Sequence, residues 1–117
     1  MAELKKEYFE SGELKSECFE INGKKHGEYK IYNKNGQLLN SCSYVDGKKH
    51  GEERDYYENG SVRFTCTHVD DKIHGLEKWY SSKTGKLCYL RIFENGELDA
   101  EVKHSDQLDM LVDKDLI

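Results

Sequence analysis

The chain has 117 residues, 35% of them charged and 36% hydrophobic, with a formal net charge of -5 and no proline. This length suits one domain rather than two, and the acidic balance argues against bulk affinity for the phosphates of nucleic acid. No apolar run approaches the roughly 18 residues of a membrane-spanning helix, and the charged segment from Met1 to Glu10 does not read as a signal peptide, so a reducing cytoplasm is the expected setting.

The elements recur with a period of 24 residues. Tyr8-x-x-x-Gly12-x-Leu14 returns as Tyr32-x-x-x-Gly36-x-Leu38 and Tyr56-x-x-x-Gly60-x-Val62, then with one extra residue as Tyr80-x-x-x-x-Gly85-x-Leu87. Between them stand Gly23-Lys24-Lys25-His26-Gly27, Gly47-Lys48-Lys49-His50-Gly51 and Asp71-Lys72-Ile73-His74-Gly75. Fixed-period self-similarity means stacked units that bury apolar surface against their neighbours rather than around one closed core. Within the unit from Gly27 to His50, the run Glu28–Asn33 reads as a strand, Lys34–Gly36 as a turn, Gln37–Val45 as a second strand and Asp46-Gly47 as a second turn. The chain is therefore all-β, a succession of hairpins.

The first turn type follows from the residue before its glycine. Ser11, Asn35, Asn59 and Thr84 hold that position. A two-residue turn needs φ > 0 there, which threonine resists, whereas a three-residue loop ending in a bulge needs it only at glycine. Tyr32 then lies opposite Leu38. The column Tyr8, Tyr32, Tyr56, Tyr80 shares a face with Leu14, Leu38, Val62 and Leu87. Further columns are Cys18, Cys42, Cys66, Arg91; Lys6, Lys30, Arg54, Lys78; and, on the opposite face, Ile21, Val45, Val69, Glu94.

The tail departs from the period. Asp99 and Ala100 stand where a further His-Gly is due, and Leu108, Leu111 and Val112 follow at helical spacing. Residues 1–104 read as the repeat array. Residues 105–117 read as a short helix and tail, N-capped by Ser105 or Asp106, which either caps its own sheet or docks on another chain.

Tyr-x-x-Asn-Gly-x-Leu followed by Asp-Gly-Lys-Lys-His-Gly resembles the MORN repeat. It is closest to the MORN variant repeats found in bacteria, where they carry an antitoxin-like label, and in large DNA viruses. The resemblance spans about residues 4 to 100. There are departures: Tyr29, Glu53 and Glu77 stand where the usual pattern has another glycine, and Asp71 replaces the first glycine of the third motif. The resemblance implies an elongated, twisted single sheet of consecutive β-hairpins. It also implies protein scaffolding, frequent dimerisation and, for some members, phospholipid binding.

The residues that invite chemistry have structural readings. Equivalent positions two strands apart are separated by about 9.5 Å, too far for a disulfide or a shared metal ion. Cys18, Cys42 and Cys66 are therefore expected as core side chains, with Cys88 outside the column. His26, His50 and His74, with Gly27, Gly51 and Gly75, are expected to fix turns. Lys24, Lys25, Lys48, Lys49 and Lys72 are expected along one rim. The column Lys6, Lys30, Arg54, Lys78 is expected to pair with acids such as Glu7, Glu28, Glu53 and Glu77. No enzyme motif occurs, and no acid sits where a shifted pKa is predicted. No catalytic residue, metal, cofactor or small-molecule substrate is expected.

The functional expectation is a protein–protein interaction and scaffold module that forms a homodimer. Its contacts would be Tyr8, Tyr32, Tyr56 and Tyr80, with Tyr57 and Trp79 as exposed aromatics on the other face. The first alternative is a peripheral binder of anionic phospholipid through the lysine rim. The second is an abundant structural component of a large DNA virus, in the host cytoplasm or the virion.

Overall fold

The computed structural model describes residues 2–103 and 105–117; the capping expected of Ser105 and Asp106 lies outside the described side chains. Eleven strands precede one helix: β1 (Ala2–Tyr8), β2 (Leu14–Ile21), β3 (Lys24–Lys25), β4 (Gly27–Tyr32), β5 (Leu38–Val45), β6 (Lys48–Tyr56), β7 (Val62–Val69), β8 (Lys72–Ile73), β9 (Gly75–Tyr80), β10 (Leu87–Glu94), β11 (Glu97–Val102) and α1 (Ser105–Asp113). The strands form one antiparallel sheet in the order β1-β2-β4-β5-β6-β7-β9-β10-β11, with β3 beside β2 and β8 beside β7. The chain as a whole extends over 46 × 32 × 20 Å.

Two turn types alternate along the chain. At the tyrosine end of each hairpin the amide of Gly36 donates to the Asn33 carbonyl (3.1 Å), and the amide of Asn33 donates to the Gln37 carbonyl (2.9 Å). Gly36 alone takes a positive φ of 82° there, and the register shifts between Ile31 and Tyr32. This is the glycine-ended bulge that Thr84 made necessary. At the other end Asn22-Gly23, Asp46-Gly47, Asp70-Asp71 and Asn95-Gly96 have positive φ at both positions, the two-residue turn whose twist matches its strands. Asp71 adopts φ 71° without glycine's freedom. Its Oδ1 accepts the Lys49 amide at 2.8 Å.

These two-residue turns are joined to one another. Gly47 N–H donates to the Lys25 carbonyl, Asp71 N–H to the Lys49 carbonyl and Gly96 N–H to the Ile73 carbonyl, each at 2.9 Å. The tyrosine-end turns are linked through side chains instead: Tyr57 Oη donates to the Tyr80 carbonyl (2.6 Å) and Asn59 Nδ2 to the Ser82 carbonyl (3.3 Å).

Register and alternation sort the side chains into two faces. Tyr8 pairs with Leu14, Tyr32 with Leu38, Tyr56 with Val62 and Tyr80 with Leu87, so both columns share one face. Cys18, Cys42 and Cys66 lie on the other. Helix α1 packs on β10 at the last unit of the tyrosine face. Leu108 is fully buried there, and Leu90 is 1% exposed. Sequence explains the seat: the column holding Leu90 reads Glu17, Ser41, Thr65, Leu90, so only the last unit offers an apolar centre. Within the chain, α1 lies on its own sheet, against β10.

Leu108→Ala removes a fully buried anchor of the helix. Because repeat stability is a sum of nearest-neighbour terms, the expected loss is about 2 kcal/mol, confined to the last unit. Urea unfolding with amide hydrogen exchange checks this: faster exchange in β9–β11 and α1, with β2–β6 unchanged.

Candidate functional site

The centre of the cysteine face is a row of buried ionisable groups. Cross-strand register sets Tyr29 opposite Cys42, Cys42 opposite Glu53, and Glu53 opposite Cys66. Further along, Glu77 lies opposite Arg91, and Arg91 opposite Glu101. Cys42 and Cys66 are 3% exposed, Glu77 3%, His68 6% and Glu53 9%. A carboxylate so deeply placed in a single sheet persists only with partners, and both acids have them.

Glu53 is held by three strands. Asn40 Nδ2 on β5 donates to its Oε2 (3.0 Å) and also to Asp55 Oδ1 (2.9 Å). His68 Nε2 on β7 lies 2.7 Å from its Oε1, and Lys49 Nζ, on its own strand, 3.6 Å away. Burial opposes ionisation of Glu53. The Asn40 amide, the His68 ring and the Lys49 ammonium outweigh it and hold the carboxyl below its ordinary range. Cys66 Sγ completes the cluster, 3.5 Å from His68 Nε2 and 3.9 Å from Glu53 Oε1. Burial, reinforced by the charge of Glu53, pushes the Cys42 thiol up to about 11 and that of Cys66 up to about 12. Both stay protonated near neutrality.

Glu77 anchors a second network. Its Oε1 accepts from Trp79 Nε1 (2.7 Å) and from Arg91 Nη2 (2.6 Å) and Nε (2.7 Å). The Trp79 ring stacks on Phe64, centroids 4.5 Å apart, with the Arg63 guanidinium 5.8 Å above it.

Several placements differ from the sequence-based expectations. Glu53 and Glu77 do not pair with the Lys6, Lys30, Arg54, Lys78 column, because alternation sends them to the opposite face. Lys30 and Arg54 instead meet Glu28 and Glu52, two residues earlier on the same strand. An acid with a lowered pKa is present after all. Trp79 and Tyr57 are part-buried rather than exposed, Trp79 by its stack and Tyr57 by its bond to the next hairpin. Tyr8 is 58% exposed, while Tyr32, Tyr56 and Tyr80 are half-buried. The tyrosines and Trp79 lie on opposite faces and do not form one patch.

The five lysines also separate. Lys25 lies over the Tyr29 ring (5.1 Å) and Lys49 beside Glu53, both on the cysteine face, leaving Lys24, Lys48 and Lys72 exposed on the margin. His26, His50 and His74 share no site. His74 Nδ1 accepts the Asn95 amide at 3.4 Å, His50 Nδ1 is 3.9 Å from Asp70, and His26 Nδ1 is buried without a partner. Gly27, Gly51 and Gly75 take φ of 91°, 112° and 90°. A Cβ on Gly51 would meet Ser43 Cβ at 3.0 Å.

His68 stands outside the columns that the sequence singles out, and Glu53 and Glu77 lie on the face opposite the basic column expected to pair with them. The available signal was the column Tyr29, Glu53, Glu77, an aromatic position turned acidic and set between successive cysteines of one column.

The family model of the MORN repeat variant matches residues 4–19, 25–46 and 49–70, three consecutive repeats that make up just over half of the chain. No curated protein matches it.

Arg91→Met should lower stability by about 3 kcal/mol, because it leaves the Glu77 carboxylate buried without its cation. Chemical denaturation measures it. A double change, Arg91→Met with Glu77→Gln, should recover most of the loss.

Proposed function

The chain belongs to the MORN repeat variant family, a kind of non-catalytic repeat module, and from that premise we propose that it is a non-enzymatic interaction and scaffold module. Its partner surface is the tyrosine face, through which it binds protein and self-associates as a homodimer. The carrying observation is how that face is used within the molecule. Its last unit is covered by α1: Tyr80 and Leu87 border the same cleft as Asp109, Val112 and Ile117 of the helix and tail. The same Tyr–Leu pairing continues, without a helix over it, through Tyr8–Leu14, Tyr32–Leu38 and Tyr56–Val62. Aromatic rings with polar tips beside aliphatic side chains are the chemistry of protein contact surfaces. A two-fold dimer lets one such face meet itself.

A second reading has its own support. The margin carries Lys24, Lys48 and Lys72 in succession, exposed and on consecutive repeats. Evenly spaced ammonium groups suit a flat anionic bilayer surface.

Sedimentation equilibrium and vesicle co-sedimentation test both. Wild-type protein should dimerise, and Tyr32→Ser with Tyr56→Ser should weaken the dimer by about tenfold or more. A wild-type monomer at every concentration removes self-association, and a dimer indifferent to both substitutions removes the tyrosine face. Lipid contact predicts binding to phosphatidylserine vesicles only, lost on Lys24→Glu, Lys48→Glu and Lys72→Glu together and weakened by salt.

A further inference from the structure

We propose that the buried cluster on the cysteine face is a binding site for one zinc ion, with Cys42, Glu53 and His68 as its protein ligands. Three strands supply them: Cys42 from β5, Glu53 from β6 and His68 from β7. Potential ligand atoms of the three all lie within 4.8 Å of one another. Cys66 Sγ lies beside them, 3.5 Å from His68 Nε2 and 3.9 Å from Glu53 Oε1, but two strands away from Cys42.

These spacings approach those of a tetrahedral ion with three protein ligands and a fourth position left for water. Bonds of about 2.3 Å to sulfur and about 2.0 Å to nitrogen or oxygen place neighbouring ligand atoms about 3.3–3.5 Å apart. The Glu53–His68 contact must open from 2.7 Å to about 3.3 Å, and spacings of up to 4.8 Å must close to about 3.5 Å. One thiolate, one imidazole and one carboxylate form a donor set that favours a borderline-soft divalent metal over magnesium or calcium.

The surroundings provide orientation and charge balance. Asn40 Nδ2 holds Oε2 of Glu53, which leaves Oε1 directed at the cluster, the outer-sphere support such ligands need. Entry of the ion displaces the thiol proton of Cys42 to solvent, and the proton between His68 Nε2 and Glu53 is taken up at His68 Nδ1, which is buried without a partner. Lys49, whose side chain is 36% exposed, swings off Oε1 and stays nearby. The dication balances one thiolate and one carboxylate. Repeat spacing excludes an ion shared by two cysteines of the column, so Cys66 remains a neighbouring thiol. The site arises because an acid from the intervening strand and a histidine of β7 meet one cysteine of β5.

The test uses the full chain, reduced and freed of metal with a chelator, in a Cys88→Ser background so that the exposed thiol is absent. Zinc is titrated in competition with a chromophoric chelator, and cobalt(II) serves as the spectroscopic probe. The expected result is one equivalent of zinc, with cobalt giving a tetrahedral spectrum and a thiolate charge-transfer band. Cys42→Ser and His68→Gln should each weaken zinc by at least about a hundredfold, the upper range for loss of a mere outer-sphere partner, whereas Cys66→Ser should change it far less. Circular dichroism establishes that each variant is folded. Where one is not, the cobalt band in the Cys88→Ser protein stands as the readout. Failure to compete for zinc, a cobalt complex without thiolate character, or uptake lost on His50→Gln and His74→Gln instead would each overturn the site.

Discussion

Everything in this molecule follows from having a single sheet with no second layer over most of it. In a sandwich, an inward side chain is covered by the opposing sheet. Here coverage comes from neighbours on the same face, so burial depends on which side chains the register sets shoulder to shoulder. The repeat makes that arrangement reproducible, because a step of 24 residues returns each position to the same face and height two strands along. Glycine-ended bulges at one end of each hairpin and two-residue turns at the other fix the register. A one-residue slip would exchange the faces and place the Glu77 carboxylate away from Arg91 on the neighbouring strand.

The two faces use this constraint differently. The tyrosine face carries charged and hydroxylated side chains along its middle, where Lys30, Arg54, Ser41 and Thr65 lie, and accepts a covering element only at Leu90. The cysteine face packs small thiols, aromatic rings and acids so closely that Glu53 and Glu77 become interior groups. Their hydrogen bonds tie adjacent hairpins together, since Asn40, Glu53 and His68 belong to three consecutive strands. Such a network specifies strand order more than it adds net stability, because desolvating each charge cancels much of the attraction that holds it.

Much of the architecture was legible in the sequence. The period gave the units, Thr84 decided the bulge, and the alternation of Tyr32 and Leu38 about it gave the shared face. Leu108, Leu111 and Val112 announced the helix. The buried acids were not legible in the same way. A strand residue's face depends on counting through every bulge, and Glu53 and Glu77 follow the left-handed Gly51 and Gly75. Reading them beside Arg54 and Lys78 mistook sequence adjacency for a shared face. His68 was obscured by the more conspicuous His26, His50 and His74. Those histidines repeat with the period and stay apart, whereas His68 occurs once and meets an acid and a thiol.

The two margins of the sheet are fastened unequally. Along one, successive two-residue turns are laced by main-chain bonds from Gly47 to Lys25, Asp71 to Lys49 and Gly96 to Ile73. Along the other, where the tyrosine-end turns lie, the links are single side-chain contacts such as that of Tyr57. The array is therefore built like a book, bound along one spine and loose at the fore-edge. Flexing it fans the tyrosine-end turns apart while the spine keeps its spacing. An array bound in this way changes its curvature at one margin, with repeat spacing conserved at the other.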